Sequence, residues 1–324
     1  MSATANRSTV SEGSIARLAM ALGAEGVGGP LSKAEVTLVA EAGALATPPP
    51  EYVRAIWSDI RQGNDPLGEL FYSLRDADER RSSGSVYTPA EIVDPMVAWV
   101  VAQSPSRVVD AGAGSGRFTA AVLRANVNLA VMAVDLDPLA TLMTRAAVAV
   151  LGGTNVTVLQ ADFTKLRLLS VEGPTAFIGN PPYVRHHELS PKTKAWAQLA
   201  AASVGHKVSG LAGLHAYFYL AVATLARPGD IGCFVTSGEW LDVNYGAIIR
   251  CLLVDQLGGE EVHVVEPEAT PFDGTATTAA VVQFRIGTPK TGIGFRTVSN
   301  LPQLSPLIAS ASPVARERLN EATR

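Results

Sequence analysis

One tetrapeptide, Asn180-Pro181-Pro182-Tyr183, combines residue types suited to chemistry on an amino group attached to a ring. Its two prolines fix the backbone, which aims the Asn180 side-chain oxygen and the Pro181 carbonyl oxygen into one cleft. Neither oxygen is a base, but both accept hydrogen bonds from a nitrogen that becomes positively charged as it attacks an electrophile. Tyr183 adds a ring face for stacking. A rigid proline turn with a surface tyrosine is the alternative interpretation.

The glycine-rich segment Ala111-Gly112-Ala113-Gly114-Ser115-Gly116 follows Asp110 and is a candidate cofactor turn. Glycines let a ligand approach the backbone closely at the end of a strand. Arg117 occupies the place of the last glycine in a dinucleotide fingerprint, which favours a cofactor without a pyrophosphate. The Asp110 carboxylate would suit an ammonium group and repel phosphates. A plain tight turn with an exposed aspartate is the alternative.

Two more acids follow the next two apolar runs. Asp135 has the position of an acidic residue that accepts hydrogen bonds from ribose hydroxyls. Asp162 can accept from an adenine amino group, and the neighbouring Phe163 ring can stack on a purine. Each aspartate alone is more often a loop or cap residue, as Asp137 is expected to be for a helix starting at Pro138. Three acids behind one glycine-rich turn together predict S-adenosylmethionine as the ligand.

These segments require a sheet to position them. Short apolar runs predict strands covered on both faces. They lie at residues 107–111, 130–135, 156–160, 175–179, 231–237, 261–266 and 279–286. Helical patterns between them, at 90–103, 117–125, 138–151, 212–226 and 244–257, predict parallel strands with right-handed crossovers. The last two strands lack room for a crossover helix, so the seventh should be antiparallel. This α/β arrangement, a seven-stranded mixed sheet, resembles the class I S-adenosylmethionine-dependent methyltransferase fold.

The pattern of apolar and polar residues divides the chain into three parts. The predicted parts are an N-terminal helical region at 1–83, a catalytic domain at 84–288 with an insertion at 184–210, and a C-terminal tail at 289–324. Helical periodicity with a proline break characterises the first part, and the alternation of strands and helices begins after it. The N-terminal region has no role that its residues reveal.

Composition excludes several classes of protein. The 324 residues are 47% hydrophobic and 17% charged, which is typical of a chain with a large buried core. The longest apolar runs are shorter than the roughly 20 residues of a membrane span, and no secretory signal is visible, so we predict a cytoplasmic protein. Cys233 and Cys251 have no metal ligands near them in sequence, which predicts neither a disulfide framework nor a metal site.

The motifs resemble those of adenine-specific DNA methyltransferases with gamma-class motif order, the TaqI-like group of type II restriction-modification enzymes. The resemblance covers residues 84–286. It rests on Gly84-Ser85-Val86-Tyr87-Thr88-Pro89-Ala90-Glu91-Ile92-Val93, DAGAGSG at 110–116, AVDLDP at 133–138, QADF at 160–163, GNPPYVR at 179–185 and SGEWLDVNYGAIIR at 237–250. It implies methyl transfer from S-adenosylmethionine to the exocyclic amino group of adenine in DNA, within a restriction-modification system or a related one.

The resemblance also implies roles for individual residues. The cofactor-binding positions are Tyr87, Thr88, Asp110, Gly112, Gly114, Gly116, Asp135, Leu136, Asp162 and Phe163. The catalytic positions are Asn180, Pro181, Pro182 and Tyr183. Asn180, Pro181 and Tyr183 would hold an extruded adenine, and Phe272 lies near the place of the family's second base-contacting aromatic.

The insertion 184–210 is a basic island in a chain of net charge −4. Arg185, Lys192 and Lys194 are therefore predicted to contact DNA phosphates, although a solvated loop would have the same composition. After Ile286 only 38 residues remain, where this family usually carries a target-recognition domain. This predicts that a defined DNA target comes either from a separate specificity subunit or from the helical region 31–83.

Two other functions fit part of the pattern. Glutamine methyltransferases that act on release factors also join a helical region to a core with an NPPY motif. The segments YTPAEIVD and EWLDVNYGAIIR resemble the DNA enzymes better. A nucleic-acid-binding subunit without catalytic activity is the third possibility, and the intact NPPY motif argues against it.

Overall fold

The computed structural model describes residues 10–74, 87–272, 277–287, 292–309 and 313–315. Its α-helices begin with four in the N-terminal segment: α1 (Glu12–Ala21), α2 (Lys33–Gly43), α3 (Pro50–Gln62) and α4 (Pro66–Leu74). The others are α5 (Ala90–Ala102), α6 (Arg117–Ala125), α7 (Pro138–Leu151), α8 (Pro191–Ser203), α9 (Leu214–Leu225) and α10 (Ala247–Asp255).

A mixed sheet forms the centre of the molecule. Its strands are β1 (Arg107–Ala111), β2 (Ala130–Asp135), β3 (Val156–Gln160), β4 (Thr175–Gly179), β5 (Ile231–Ser237), β6 (Gly259–Val265), β7 (Ala279–Arg285), β8 (Gly292–Val298) and β9 (Val314–Ala315). The order across the sheet is β3-β2-β1-β4-β5-β7-β6-β8-β9. Strands β1 to β5 pair in parallel, whereas β7 is antiparallel to both β5 and β6.

The predicted fold class is confirmed, including the antiparallel seventh strand. The sheet is larger than the seven strands predicted, because the segment assigned to a C-terminal tail contributes β8 and β9. Strand β8 pairs in parallel with β6 and covers the edge that β6 would otherwise expose. No helical crossover pattern precedes β8 in the sequence, which is why the periodicity did not reveal it.

Two layers of apolar side chains cover the faces of the sheet. Tyr219 and Phe284 belong to the layer beneath α9 and α10, and Met96 and Phe118 to the layer beneath α5 and α6. Continuous apolar strands are buried in this way when helices cover both faces. The carboxyl ends of β1, β2 and β4 therefore meet at one open edge of a rigid core.

The N-terminal helices extend this core. Ile15 and Ile56 pack with Leu142 and Met143 of α7 in a single buried cluster. Residues 10–74 therefore lie against the part of the chain that follows residue 87, and the predicted boundary at residue 83 separates elements that share a hydrophobic core.

A buried ion pair fixes this segment further. Arg145 Nε of α7 donates to Glu35 Oε1 of α2 at 2.8 Å, and both side chains are fully buried. The same guanidinium donates to the carbonyl oxygens of Val27, Gly29 and Pro30. Three hydrogen bonds from one guanidinium thus hold the chain between α1 and α2, and a further one goes to the Val158 carbonyl oxygen of β3.

The predicted insertion 184–210 contains helix α8. Ser190 caps its first turn by accepting from Thr193 N at 3.1 Å, and Ala197 and Ala201 are buried against the core. Trp196 packs near Tyr217 of α9, with ring centroids 6.3 Å apart. Within the described residues, no helix is both long enough and apolar enough to cross a bilayer.

Candidate active site

The glycine turn between β1 and α6 follows the predicted strand directly. Gly112 N and Ala113 N both donate to the Val134 carbonyl of β2 at 3.0 Å, which holds the turn against the neighbouring strand. Gly116 has a φ of 87°, and a Cβ there would lie 2.9 Å from Thr144 Cα. Only glycine fits this position, since both the backbone angle and the distance exclude a side chain. The turn is therefore tightly fixed to β2 and α7.

Asp110, at the end of β1, is a buried carboxylate with one free oxygen. Its Oδ2 accepts from Thr119 N at 2.9 Å and from Thr119 Oγ1 at 2.7 Å. Its Oδ1 is buried and has no hydrogen-bond partner in the described part of the chain. Burial raises the pKa of Asp110 to about 7, and the nearby Asp135 carboxylate adds to this effect. An unpaired, buried acceptor oxygen of this kind fits the ammonium group of a methionine moiety.

Asp135 lies 21 residues after Gly114 and contacts the same turn. Its Oδ2 accepts from Gly114 N at 2.8 Å, and its Oδ1 accepts from Asp137 N at 2.9 Å. Burial raises the pKa of Asp135 as well. Each carboxylate oxygen retains a second lone pair, so these bonds leave room for hydroxyl donors. Asp137 caps α7 through Leu139 N at 2.8 Å, which confirms its predicted role.

Leu136 lies between these two acids and is 63% exposed, unlike most large apolar residues of the chain. An exposed leucine beside a carboxylate suits contact with the flat face of a nucleoside base, and its assignment to the cofactor stays a prediction.

Asp162 and Phe163, after β3, are more fully engaged than predicted. Asp162 Oδ1 accepts from Thr164 N at 3.0 Å, and Oδ2 forms an ion pair with Lys165 Nζ at 2.6 Å. Burial alone would raise the pKa of Asp162, but Lys165 and Thr164 hold it below its usual range. Phe163 is buried and stacked on Phe218 of α9, with centroids 5.0 Å apart. Phe218 therefore takes one face of the ring that was predicted to stack on a purine.

The tetrapeptide Asn180–Tyr183 lies beside the glycine turn. A Cβ on Gly112 would be 3.7 Å from Pro182 Cδ, so the two motifs are in close proximity. Asn180 Nδ2 donates to Thr88 Oγ1 at 3.0 Å, which orients the amide. Thr88 was predicted as a cofactor contact only, and its bond to Asn180 links the segment before α5 to the tetrapeptide.

The side-chain oxygen of Asn180 accepts a hydrogen bond from Tyr183. Its hydroxyl donates to Asn180 Oδ1 at 2.7 Å, and burial raises the pKa of Tyr183 well above its usual value, so it remains a donor. Its ring meets Phe272 edge-on, with centroids 5.8 Å apart. Phe272 is 2% exposed. The structure therefore brings the two predicted base-contacting rings together.

His215 is a residue of this site that sequence reasoning missed. It lies in the first turn of α9, with its ring centroid 6.3 Å from that of Tyr183. Burial lowers the pKa of His215 to about 4, so the imidazole is neutral at physiological pH. The only signal in the sequence was a histidine inside an otherwise apolar helical run.

Tyr87 is placed beside the glycine turn by a cation–π contact. The Arg117 guanidinium lies 4.1 Å from the centroid of the Tyr87 ring. Gly84, Ser85 and Val86, which begin the motif, lie outside the described residues.

The predicted DNA-contacting residues lie on the surface beyond the tetrapeptide. Arg185 and Lys192 are exposed and Lys194 is half-buried. Neither lysine forms an ion pair with a described residue, so both ammonium groups are available to an anionic partner. In the same segment, His187 Nε2 and Glu188 Oε1 lie 3.9 Å apart.

Comparison with known proteins identifies relatives of this chain. Residues 170–265, which include the tetrapeptide, match the family model described as Eco57I restriction-modification methylase. Over 244 residues the chain is 48% identical to the type II methyltransferase M.XamI of Xanthomonas campestris pv. amaranthicola, covering 75% of this chain and 46% of that protein. The chain thus spans less than half the length of this curated relative.

Solved structures agree on the fold. A putative class I S-adenosylmethionine-dependent methyltransferase from Listeria monocytogenes aligns with a TM-score of 0.62 at 14% identity, over 97% of this chain and 91% of the other. The type IIG restriction endonuclease BpuSI aligns with a TM-score of 0.64 at 19% identity, over 96% of this chain and 43% of the other. The chain has the class I methyltransferase fold, and its sequence relatives are restriction-modification methyltransferases, which confirms the predicted resemblance.

Proposed function

We propose that this chain transfers a methyl group from S-adenosylmethionine to the exocyclic amino group of adenine in DNA, as part of a restriction-modification system. The observation that carries the proposal is the proximity of the glycine turn and the Asn180 tetrapeptide at one edge of the sheet. The 48% identity to a type II methyltransferase supports DNA as the substrate and argues against the release-factor and non-catalytic alternatives.

The cofactor end of the site would hold S-adenosylmethionine through charge. When bound, this molecule supplies an electrophilic methyl group on a sulfonium sulfur. Asp110 Oδ1, buried without a partner, would accept from its ammonium group, and Asp135 would accept from its ribose hydroxyls. Both carboxylates lie on the glycine turn or contact it, so one rigid element would orient the methyl group toward Asn180.

The acceptor end would stabilise the amino nitrogen during transfer. Formation of the new N–C bond would break the methyl–sulfur bond and leave its electron pair on the sulfur. Asn180 Oδ1 and the Pro181 carbonyl oxygen would accept the two N–H groups of the nitrogen as it becomes positive, and water then takes the extra proton. Thr88 Oγ1 accepts from the amide nitrogen of Asn180, which directs the amide oxygen away from the Thr88 hydroxyl. Preorganised acceptors of this kind lower the barrier selectively.

One lone pair of the Asn180 oxygen is already used by a hydrogen bond from the tetrapeptide itself. Tyr183 OH occupies Asn180 Oδ1, the atom that the amino group needs. Entry of an extruded adenine would displace the hydroxyl, after which the Tyr183 ring can stack on the base while Phe272 supports it. Base entry and release of the catalytic oxygen would then be one event.

Arg185, Lys192 and Lys194 suit contact with DNA phosphates, which orient the duplex but carry no sequence information. We propose that a specificity subunit supplies the base readout. Sequencing of methylated adenines after exposure of genomic DNA to the purified chain tests this, and a single long target modified by the chain alone would refute it.

The catalytic assignment is tested by Asn180→Ala. We expect methyl transfer to an adenine-containing duplex to fall about a hundredfold to a thousandfold while S-adenosylmethionine affinity changes by no more than a few fold. Tritium transfer measures the first quantity and isothermal titration calorimetry the second. Near wild-type turnover would remove Asn180 from the mechanism, and mass spectrometry of the nucleosides establishes whether adenine is the methylated base.

A further inference from the structure

The N-terminal helical segment, residues 10–74, reaches the proposed cofactor site through two polar contacts. The first is made by Asp65, which precedes α4. Its Oδ2 accepts from Ser115 Oγ of the glycine turn at 2.5 Å and lies 3.9 Å from the Arg117 guanidinium. Its Oδ1 accepts from Gly68 N at 2.9 Å, so the carboxylate is itself fixed by the first turn of α4.

The second contact is made by Ser32, the N-cap of α2. Ser32 Oγ donates to Gln160 Oε1 at 2.6 Å, and Gln160 Nε2 donates to the Leu136 carbonyl at 3.0 Å. Leu136 immediately follows Asp135. This chain of hydrogen bonds therefore ends on the loop after β2, at the other end of the proposed cofactor site from Ser115.

The segment is also attached to the protein by buried contacts away from the glycine turn. These contacts are the apolar cluster with α7 and the ion pair of Glu35 with Arg145. Burial raises the pKa of Asp65 although Ser115 and Arg117 oppose this, so this largely buried carboxylate, with a side chain 12% exposed, is costly for folding. A costly group that ends on a functional loop is better explained by positioning than by stability.

We propose that the N-terminal helical segment is a structural part of the cofactor site, in which Asp65 positions the glycine turn through Ser115 and Ser32 positions the loop after β2 through Gln160. The proposal rests on the proposed function in that S-adenosylmethionine is the ligand. Asp65 and Ser32 are positioning residues, since they act through Ser115 and Gln160 and not on the ligand.

Asp65→Ala and Ser115→Ala, singly and together, test the first contact on the full chain. Each single variant should raise the dissociation constant for S-adenosylmethionine about tenfold, and the double variant should do no more than either, because both remove one interaction. The matched control is Asp230→Ala. Asp230 is also a buried carboxylate, accepting from Thr175 N at 2.7 Å and Arg227 N at 2.8 Å, but it precedes β5 at the opposite edge of the sheet. It should lower the melting temperature and leave the affinity unchanged.

The second contact can be tested against another serine that caps a helix. Ser32→Ala removes both a helix cap and the bond to Gln160, whereas Ser11→Ala removes the equivalent capping box of α1 and nothing else. We expect only Ser32→Ala to weaken cofactor binding, by several fold. Equal affinities in the two variants would overturn the role of Ser32.

Hydrogen exchange of the ligand-free chain separates this proposal from the proposed function. Gly114 N donates to Asp135 Oδ2 and Gly116 N donates to the Ala113 carbonyl oxygen, so the exchange of these two amides reports the order of the turn. Asp65→Ala should accelerate exchange over residues 112–116 and Asp230→Ala should not. A wild-type chain that does not bind S-adenosylmethionine would refute the proposed function, whereas unchanged exchange and unchanged affinity in Asp65→Ala would refute the positioning role.

Discussion

Lowering the pH from 7 to 5.5 should weaken the binding of S-adenosylmethionine to this chain about 15-fold, because Asp110 must be ionised to pair with an ammonium group. Burial raises the pKa of Asp110 to about 7. About half of the ligand-free molecules then carry the ionised carboxylate at pH 7, and about 3% carry it at pH 5.5. The ligand's α-amino group, with a pKa of roughly 7.7–8.0, stays charged throughout this window. The loss of affinity therefore reports the protein's carboxylate.

Isothermal titration calorimetry at constant ionic strength measures this dependence, with Asp110→Asn as the control. Asp135 lies beside the same turn and burial raises its pKa too, so a smaller slope should remain in the variant. An affinity in the wild type that is flat between pH 5.5 and 7, or an equal slope in Asp110→Asn, would refute the assignment of Asp110 to the ammonium group.

The raised pKa of Asp110 also makes the stability of the folded chain depend on pH. A carboxyl group whose folded pKa is raised contributes stability that is complete below its unfolded pKa of 3.8 and is lost as the pH rises through about 7. Asp110→Asn should therefore raise the melting temperature of the ligand-free chain at pH 8 while it weakens cofactor binding. A variant that is less stable at pH 8 would contradict this sign.

Three further variants test other parts of the structure. Glu35→Gln leaves the Arg145 charge buried without its partner and should lower the free energy of unfolding by about 3–5 kcal/mol, measured by urea denaturation; a loss below 1 kcal/mol would show that water reaches the site. Gly116→Ala forces a side chain against Thr144 at a φ of 87° and should cost about 1–3 kcal/mol of stability as well as cofactor affinity. Tyr183→Phe removes the hydroxyl from Asn180 but keeps the ring, so DNA methylation should persist, whereas Tyr183→Ala should lose about 1–3 kcal/mol of base binding; equal losses in both would exclude stacking.

The sequence predicted the strands that are buried on both faces and flanked by helices. The bounds of β1 to β5 coincide with the predicted apolar runs, because such strands need continuous apolar residues. Strand β8 was not predicted, since GIGFRTV mixes small, apolar and charged residues and pairs at the outer side of β6. Its place in the sheet depends on an unpaired edge, which local sequence does not encode.

Some residues of the candidate site could likewise be predicted from the sequence, and others could not. Asp110 and Asp135 were predicted because carboxyl ends of parallel strands meet at one edge, a rule that topology alone supplies. The roles of Asp65 and His215 were not predictable. Asp65 precedes Pro66 and has the sequence features of an ordinary helix start, and its contact with Ser115 depends on how α4 packs. His215 comes near Tyr183 only because α9 begins beside the tetrapeptide.

The acids around the glycine turn are better explained by roles in the proposed site, either positioning or ligand binding, than by folding. Burial raises the pKa of Asp65, Asp110 and Asp135, so each carboxylate opposes folding near neutral pH in the ligand-free chain. An amide at Asp110 would keep the hydrogen bonds from Thr119 without this cost. Unlike an amide, a carboxylate places negative charge on the unpaired, buried oxygen of Asp110. That charge is useful only when a cation is bound, so the folding cost of the Asp110 carboxylate agrees with the cationic ligand that we propose.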